Sequence, residues 1–143
     1  MIRKMQNTDI NRVADIWLKT NLKAHDFIPE QYWTSNYELV KEMMSQSEVY
    51  VYEDDKMIQG FIGINDEYIE GIFVSDEMQS RGIGKMLLDY IKDKKDRLQL
   101  KVYQKNVRAM SFYQREGFTI QSEEMDEFTG EKEYVMNWES FGI

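Results

Sequence analysis

The spacing of hydrophobic residues predicts a strand followed by two helical regions at the start of the chain. Residues 1–5 alternate between apolar and polar side chains, as is typical of a short strand. Capping residues at positions 7–9 then precede a helix with one apolar face. That face consists of Ile10, Val13, Ala14, Trp17 and Leu18. A second helical region is predicted from Pro29, and its apolar side consists of Tyr32, Trp33, Tyr37, Val40, Met43 and Met44.

The middle of the chain favours strands, and helical spacing returns after them. Residues 49–53 and 57–64 predict a hairpin around a polar turn, and residues 68–74 predict a further strand. The next helix has an apolar face made of Ile83, Met86, Leu87, Tyr90 and Ile91. A short strand is predicted after it, at residues 98–103.

A helix and two closing strands complete the predicted fold. The apolar side of this helix consists of Val107, Met110, Phe112 and Tyr113. Gly117 is a candidate for its C-terminal cap, and residues 118–121 and 132–138 predict the two strands. The resulting order, βααβββαβαββ, indicates an α/β fold. It is a single mixed, twisted sheet of six or seven strands flanked by about four helices.

The composition fits one folded domain and excludes several kinds of chemistry. With 143 residues, the chain is expected to form a single domain spanning residues 1–143. It contains no cysteine and only one histidine, His25, which excludes disulfides, thiolate nucleophiles and zinc sites built from Cys or several His residues. We therefore expect no metal site. Any catalysis must therefore use carboxylates, tyrosines, backbone groups and a bound cofactor.

The net charge of −8 bears on the choice of partners. An acidic chain disfavours nucleic acid, whose phosphates need a basic face, and it favours cationic substrates such as amines. The alternative, that the acidity only serves solubility, stays open. The chain has no apolar run of about 18 residues and no apolar segment at its amino terminus. We therefore expect a cytoplasmic protein that does not associate with a membrane.

A glycine-containing turn at residues 79–85 is the first candidate for a binding site. Gly82 and Gly84 stand between the end of a predicted strand and the start of an amphipathic helix. Glycines at such a place allow backbone amides to approach an anion closely, and the helix dipole, Arg81 and Lys85 add positive potential. A plain strand-to-helix turn is the alternative.

Two common phosphate-binding motifs fail at this turn. A Walker A loop requires a glycine at the position of Gln79 and a Ser or Thr at the position of Met86. A dinucleotide fingerprint requires a third glycine at the position of Leu87, and it lies in a first βαβ unit rather than in the middle of a chain. Neither nucleotide motif is therefore expected here.

Two segments of the chain together resemble the GNAT superfamily of N-acetyltransferases. Gln79, Gly82 and Gly84 match its pyrophosphate motif, Gln/Arg-x-x-Gly-x-Gly/Ala. Residues 106–118 match a second pattern of the family, Asn-x-x-Ala-x-x-Phe/Leu-Tyr-x-x-x-Gly-Phe, at the correct separation and in the expected strand–helix context. The resemblance implies the GNAT fold, with acetyl-CoA as the acetyl donor.

This resemblance implies which residues bind coenzyme A. The amides of the turn would bind the pyrophosphate, and the strand end at residues 72–74 would bond the pantetheine like an added strand where it splays from residues 100–103. Asn106 would bond the pantetheine arm, cap the helix that it begins, or do both. The implied cofactor-binding residues are Ile72, Phe73, Val74, Gln79, Ser80, Arg81, Gly82, Ile83, Gly84, Lys85, Asn106, Ala109, Phe112 and Tyr113.

The resemblance also points to two catalytic residues. Tyr113 would be the general acid that protonates the departing thiolate, although a tyrosine at helical spacing is also typical of a core. Glu70 would accept a proton from the amine, whose pKa is about 10.4, before the amine attacks through a tetrahedral intermediate. Gly71 would mark a bulge that aims a backbone amide at the thioester oxygen. The alternative for Glu70 is a surface carboxylate on an edge strand.

The acceptor side is less well defined by the sequence. Residues 24–28 and 129–138 are similar to a group of small bacterial acetyltransferases of the YjaB-like or YiaC-like type. The candidates for contacts with the acceptor are His25, Phe27, Trp33, Tyr68, Tyr103 and Tyr134. His25 would contact the substrate or assist proton removal, or it is a loop histidine held by Asp26. Trp33 is equally compatible with an ordinary core position.

Three questions stay open at the level of sequence. The acceptor amine is a protein lysine, a protein N-terminus or a small amine. The protein is a monomer or a homodimer, because exposed aromatic residues in the final strands fit either a dimer contact or an acceptor wall. The alternative to an enzyme is a non-catalytic sensor that binds acyl-CoA and signals through a partner.

Overall fold

The structure is a computed structural model that describes residues 1–140, and its elements follow the predicted α/β order. The strands are β1 (Ile2–Lys4), β2 (Glu48–Asp54), β3 (Met57–Asn65), β4 (Tyr68–Val74), β5 (Arg97–Tyr103), β6 (Thr119–Met125) and β7 (Lys132–Glu139). The helices are α1 (Ile10–Ala24), α2 (Glu30–Ser35), α3 (Tyr37–Gln46), α4 (Ile83–Lys92) and α5 (Val107–Arg115). None of the helices in this described part is long and apolar enough to cross a membrane.

The second predicted helical region consists of two helices, because the chain bends at Asn36. Asn36 has φ −97° and ψ 0°, outside the helical range, and separates α2 from α3. Its side-chain Nδ2 donates to the carbonyl oxygen of Tyr32 at 2.6 Å. Asn side chains compete in this way with the regular helical bonds of the backbone. The described residues therefore contain five α-helices where the sequence predicted about four.

The last hairpin also differs from the sequence prediction in one strand. The prediction ended this strand at residue 121, but β6 continues to Met125. Its register with β7 shifts between Ile120 and Ser122, so that the alternation of side chains changes along the strand. All residues of β6 are exposed at the edge of the sheet. An exposed strand has no buried face, and it therefore lacks the hydrophobic alternation by which strands are predicted.

All seven strands form one sheet with the order β1-β2-β3-β4-β5-β7-β6, and helices cover both faces. One core lies against α4 and α5, and its buried residues include Ile62, Ile69, Leu87, Leu88, Leu98, Leu100 and Met136. The other core lies against α1 and α3, and it includes Val13, Ile16, Val49, Val51 and Phe61. Neighbouring β3 residues contribute to opposite cores, as side chains alternate across a sheet.

The sheet opens between its two central strands. β4 and β5 form the parallel pair of the sheet, and they are registered only at Tyr68 and Gln99. Beyond this point each strand keeps its other neighbour, since Val74 still pairs with Gly60 on β3 and Tyr103 pairs with Glu133 on β7. The carboxyl ends of β4 and β5 therefore diverge and leave a gap in the hydrogen-bonded sheet.

A β-bulge lies at the edge of this opening. Gly63 pairs with Gly71 and Ile64 pairs with Ile69, so Glu70 has no opposite residue on β3. The predicted bulge beside Gly71 is thereby confirmed. A β-bulge bends its strand and redirects the side chain of the extra residue, which here is Glu70.

Gly71 is required for packing at the bulge. A Cβ atom at Gly71 would lie 2.4 Å from the ring of Phe73, which stacks on Phe61 with ring centroids 5.0 Å apart. A larger residue at position 71 would require the ring of Phe73, which packs against the core on the α1 side of the sheet, to shift.

Candidate active site

The turn between β4 and α4 forms a concave surface of backbone amides. Ser80 and Gly82 both have left-handed backbone conformations, with φ of +67° and +82°. Gly82 is the N-cap of α4 and gives no side-chain bond to the first turn, so the N–H groups there keep their hydrogen-bonding capacity. Nothing lies within 4 Å of where a Cβ of Gly82 would stand. Such open concavities of backbone amides bind anions.

Arg108 of α5 extends the positive character of this turn. Its Nη1 donates to Gln79 Oε1 at 2.8 Å, and its Nη2 donates to Ser80 Oγ at 3.1 Å. Gln79 in turn donates from Nε2 to the carbonyl oxygen of Val74, at the end of β4. Gln79 therefore holds the turn against the strand and α5. The sequence prediction missed Arg108, because a single Arg on an exposed helix face is usually a solvated charge.

The two other cations of the predicted site are placed differently. Lys85 lies between Glu116 and Asp89, with its Nζ 3.0 and 3.3 Å from their carboxylate oxygens. Arg81 is exposed beside Gly82. Lys85 is thus partly neutralised by carboxylates, and Arg108 bonds the turn directly.

A cavity of about 300 Å³ lies next to the turn, between the end of α1 and the start of α5. It is lined by Thr20, Lys23, Ala24, Gln79, Lys105, Asn106, Val107 and Arg108. Three of these eight side chains are cationic, although the whole chain carries a net charge of −8. Two of these cations are partly neutralised, because Lys23 pairs with Asp76 and Lys105 Nζ lies 3.2 Å from Glu131 Oε1.

The predicted apolar contacts divide between core and opening. Ile83 is buried, and Ile72 packs against the same core. The side chains of these two residues are therefore core side chains, and only their backbone groups remain as candidates for contacts with a ligand. Phe112 lies 3.6 Å from the place of a Cβ on Gly84 and packs against Tyr113. An extended ligand with amide groups therefore has the free edge of β4 on one side and α5 on the other.

Tyr113 is a buried residue of α5. It is 8% exposed and packs against Phe112 and Phe118, so the core interpretation of this residue holds for its ring. Burial raises the pKa of Tyr113 well above its usual range, and the phenol of Tyr68 raises it further. The Tyr113 phenol is therefore neutral at physiological pH and close enough to Tyr68, on β4, to interact with it.

Carboxylates surround Tyr68 on the opposite side of the sheet from α5. Burial raises the pKa of the Tyr68 phenol; Lys101 opposes this, and Glu133 and Glu70 add to it. Glu70 is exposed at the bulge. Glu133 is half-buried on β7, and burial followed by the charge of Asp126 raises the pKa of its carboxyl group. Glu133 is a second candidate for proton acceptance that the sequence prediction missed.

Four of the predicted acceptor-side residues form an aromatic cluster. His25 stacks on Trp33 with ring centroids 5.5 Å apart, and it meets Tyr103 edge-on at 5.0 Å and Phe27 at 5.7 Å. Trp33 is also a core residue, since it is 6% exposed. Tyr134 is not part of this cluster, because it pairs with Val102 on the face that packs against α4 and α5.

The hydrogen-bond partners of His25 differ from the predicted one. Its Nδ1 lies 2.9 Å from Asn21 Oδ1, and its Nε2 lies 3.0 Å from Asn106 Nδ2. Asp26, the partner predicted from the sequence, is exposed and does not take part in these bonds. Asn106 caps α5, as predicted, by accepting a bond from the N–H of Ala109 at 3.1 Å.

Comparison with known proteins identifies the class to which this arrangement belongs. The sequence profile described as the Acetyltransferase (GNAT) domain matches residues 21–139. The chain therefore belongs to the GNAT family of acetyltransferases, and it is an acetyl-CoA-dependent enzyme, as its motifs predicted.

Particular relatives agree with this assignment. The chain is 32% identical to the peptidyl-lysine N-acetyltransferase YiaC of Escherichia coli (strain K12), over 96% of both chains. Its fold is similar to the solution structure of apo-form YjaB from Escherichia coli, with a TM-score of 0.86, 19% identity and 96% coverage of both chains. A GNAT family acetyltransferase from Elizabethkingia anophelis with acetyl-CoA bound matches with a TM-score of 0.63 and 20% identity, over 72% of this chain and 82% of that chain.

His25 should make the stability of the fold sensitive to mild acid. Burial lowers the pKa of His25 to about 4 in the folded state, from about 6.5 in an unfolded chain. The unfolded state therefore binds this proton more tightly, and the stability that neutral His25 contributes is complete above pH ~6.5 and is lost as the pH falls towards ~4. Between pH 7 and pH 4.5 we expect a loss on the order of 2 kcal/mol from this residue.

Urea denaturation of the native protein and of His25→Asn at these two pH values measures this contribution. The native protein should lose more stability on acidification than the variant does. Equal losses in both proteins would contradict a buried, neutral His25.

Proposed function

We propose that this acetyltransferase transfers the acetyl group of acetyl-CoA to the side-chain amine of lysine in a protein substrate, and that residues 1–143 act as one catalytic domain. The lysine acceptor is supported by the relatives YiaC and YjaB, both described as peptidyl-lysine N-acetyltransferases. The net charge of −8 favours the approach of a cationic amine. The observation that carries the proposal is the opening between β4 and β5, which has a cationic side and an acidic side.

The cofactor is proposed to lie along the cationic side of the opening. Acetyl-CoA supplies an activated acetyl thioester when it is bound. The amides of residues 80–85 bind its pyrophosphate, and Arg108 offsets the phosphate charges, with a smaller contribution from Lys23 and Lys105 because these two are paired with carboxylates. The free edge of β4 at residues 72–74 and the Asn106 side chain bond the amides of the pantetheine. Ala109 and Phe112, on α5, provide the apolar contacts along the same arm.

The general acid is proposed to be Tyr113. A departing thiolate needs a proton source held close to its sulfur. Burial raises the pKa of Tyr113, so its phenol keeps its proton at physiological pH. The proton is then present when the thiolate departs. The position of Tyr113 on α5, near Tyr68 at the opening, supports this role.

Glu70 is proposed to accept the proton that the lysine ammonium must lose before it attacks. The bulge turns this carboxylate out of the regular alternation of β4 and places it beside Tyr68. The backbone amide of Gly71 is proposed as a donor to the thioester oxygen. Phe27, Tyr68 and Tyr103 line the route of the lysine side chain, whose methylene groups pack well on aromatic rings.

Acceptor choice is tested by mixing the protein with acetyl-CoA and measuring thiol release. We expect turnover with a lysine-containing peptide that has a blocked amino terminus. The same peptide with Arg in place of Lys should give no turnover, because it has no primary amine. Spermidine and free lysine serve as small-amine comparisons. Faster turnover of the small amines than of the peptide would contradict a protein substrate, and tight CoA binding without turnover of any amine would favour a sensor.

Replacing Tyr113 tests the general acid. Tyr113→Phe removes only the hydroxyl, so CoA affinity should be retained while kcat falls by roughly 10²–10⁴, the usual contribution of a positioned acid. Tyr90→Phe is the matched control, because Tyr90 packs against Tyr50 on β2, away from the opening. A kcat for Tyr113→Phe equal to that of the control would reject the assignment.

Replacing Glu70 tests the base. In Glu70→Gln, kcat/KM should fall and its dependence on pH should change on the acidic side, where a catalytic carboxylate is protonated. Glu133→Gln is the competing variant, since Glu133 is a half-buried carboxylate whose charge also raises the pKa of Tyr68. If only Glu133→Gln changes the acidic side of the profile, the role belongs to Glu133.

A further inference from the structure

A chain of side-chain hydrogen bonds connects α1 with the first turn of α5. Asn21 Nδ2 donates to the carbonyl oxygen of Trp17 at 2.9 Å, and Asn21 Oδ1 faces His25 Nδ1 at 2.9 Å. On the other side of the ring, His25 Nε2 faces Asn106 Nδ2 at 3.0 Å. Asn106 Oδ1 then accepts from the N–H of Ala109 at 3.1 Å. We call these four bonds the His25 relay.

The backbone groups at the two ends of the His25 relay fix the direction of every bond. The carbonyl of Trp17 only accepts, so the amide nitrogen of Asn21 faces it and the oxygen is left for the imidazole. The N–H of Ala109 only donates, so the amide oxygen of Asn106 faces it and the nitrogen is left for the imidazole. His25 must therefore carry its proton on Nδ1 and accept at Nε2.

The surroundings of the relay favour this single neutral form. Asn21 is 3% exposed, and the rings of Trp33, Tyr103 and Phe27 surround the imidazole. A protonated ring would place two N–H donors against Asn21 and the donor nitrogen of Asn106, and the second of these contacts would be repulsive. Because Asn21 is buried, leaving a polar atom of its amide without a hydrogen-bond partner would be costly.

The relay ends at the cofactor side of the opening. Asn106 lines the 300 Å³ cavity together with Lys105 and Arg108, and it caps the helix that carries Tyr113. One N–H of its amide group is directed to His25. The second N–H of the same amide is not used by the relay, and the orientation of the amide group determines where that N–H points.

We propose that His25 is a positioning residue for acetyl-CoA: it holds the Asn106 amide in the orientation in which the second N–H bonds the pantetheine arm. The inference rests on the proposed function, in which Asn106 contacts the cofactor. His25 contacts the ring of Phe27, in the loop after α1, and the amide of Asn106. It therefore connects the acceptor-side loop directly with the proposed cofactor site. A histidine with only a packing role would stabilise the fold without affecting the cofactor.

The tautomer of His25 is measured by NMR of the free protein. His25 is the one histidine in the chain, so the ring nitrogens give a single set of signals. At pH 7 we expect protonated Nδ1 and unprotonated Nε2, opposite to the form that free histidine prefers in water. Asn106→Ala should shift the population towards protonated Nε2, whereas Asp26→Asn should leave the spectrum unchanged because Asp26 lies outside the relay. Protonated Nε2 in the native protein would overturn the proposal, and this measurement requires neither cofactor nor catalysis.

Calorimetric titration with CoA tests the positioning role. In His25→Leu the polar contact to Asn106 is lost, and we expect CoA affinity to fall about tenfold, the scale of one hydrogen bond, with a matching rise of KM for acetyl-CoA. His25→Gln should recover most of the affinity, since its amide oxygen and nitrogen supply one acceptor and one donor. Asn21→Ala, which removes the far end of the relay, should weaken CoA binding in the same direction.

The outcomes of the titration are distinct. Native CoA affinity in both His25→Leu and Asn21→Ala would overturn the positioning role and leave the proposed function standing. Equal loss in His25→Gln and His25→Leu would also overturn it, because the bonding pattern would then be irrelevant. If the native protein itself bound no CoA, both the proposed function and this inference would fall. If His25→Leu does not fold, the tautomer measurement and the Asn21→Ala titration decide the matter.

Discussion

The structure depends on one constraint: β4 and β5 are parallel neighbours that pair at a single position and then part. Each strand is held along its length by its other neighbour, which keeps the two carboxyl ends apart. The backbone groups of β4 that face the gap lack strand partners, and buried or half-buried backbone groups require hydrogen bonds. A ligand with its own amides satisfies this requirement. The bulge at Glu70 lies on β4 itself, and the turn before α4 follows the end of this strand.

Charge is distributed unevenly around the opening. The protein is acidic overall, yet Lys23, Lys105 and Arg108 gather at the cavity beside the turn. Near the phenol of Tyr68, by contrast, the charges of Glu70 and Glu133 raise its pKa. Each side thereby suits one reactant of an acetyl transfer, an anionic cofactor and a cationic amine. The net charge alone gives no information on this division, because only the folding of distant segments brings these residues together.

Local patterns predicted the fold well, and contacts distant in sequence explain what they missed. The glycine turn and the cap at Asn106 depend on neighbouring residues, whereas the bulge beside Gly71 was implied by the resemblance to the family; these features are found as predicted. One of the two partners of His25, Asn106, is 81 residues away, and no local signal distinguishes it from Asp26. The face of the sheet on which Tyr134 lies has no local signal either, since β7 is partly buried on both sides and lacks a clear alternation of buried and exposed residues. The His25 relay and the role of Arg108 became visible only when the segments were brought together.

The geometry of His25 also restricts the choice of catalytic base. A general base needs a free lone pair, and the Nε2 lone pair of His25 is occupied by the amide of Asn106 while Nδ1 carries a proton directed at Asn21. Burial lowers its pKa to about 4, which makes it a weak acceptor for the proton of an ammonium group. The chain has no other imidazole and no thiol. The proposed base is therefore a carboxylate or water ordered by one, and Glu70 and Glu133 are two of the three carboxylates, with Glu124, whose charge raises the pKa of Tyr68.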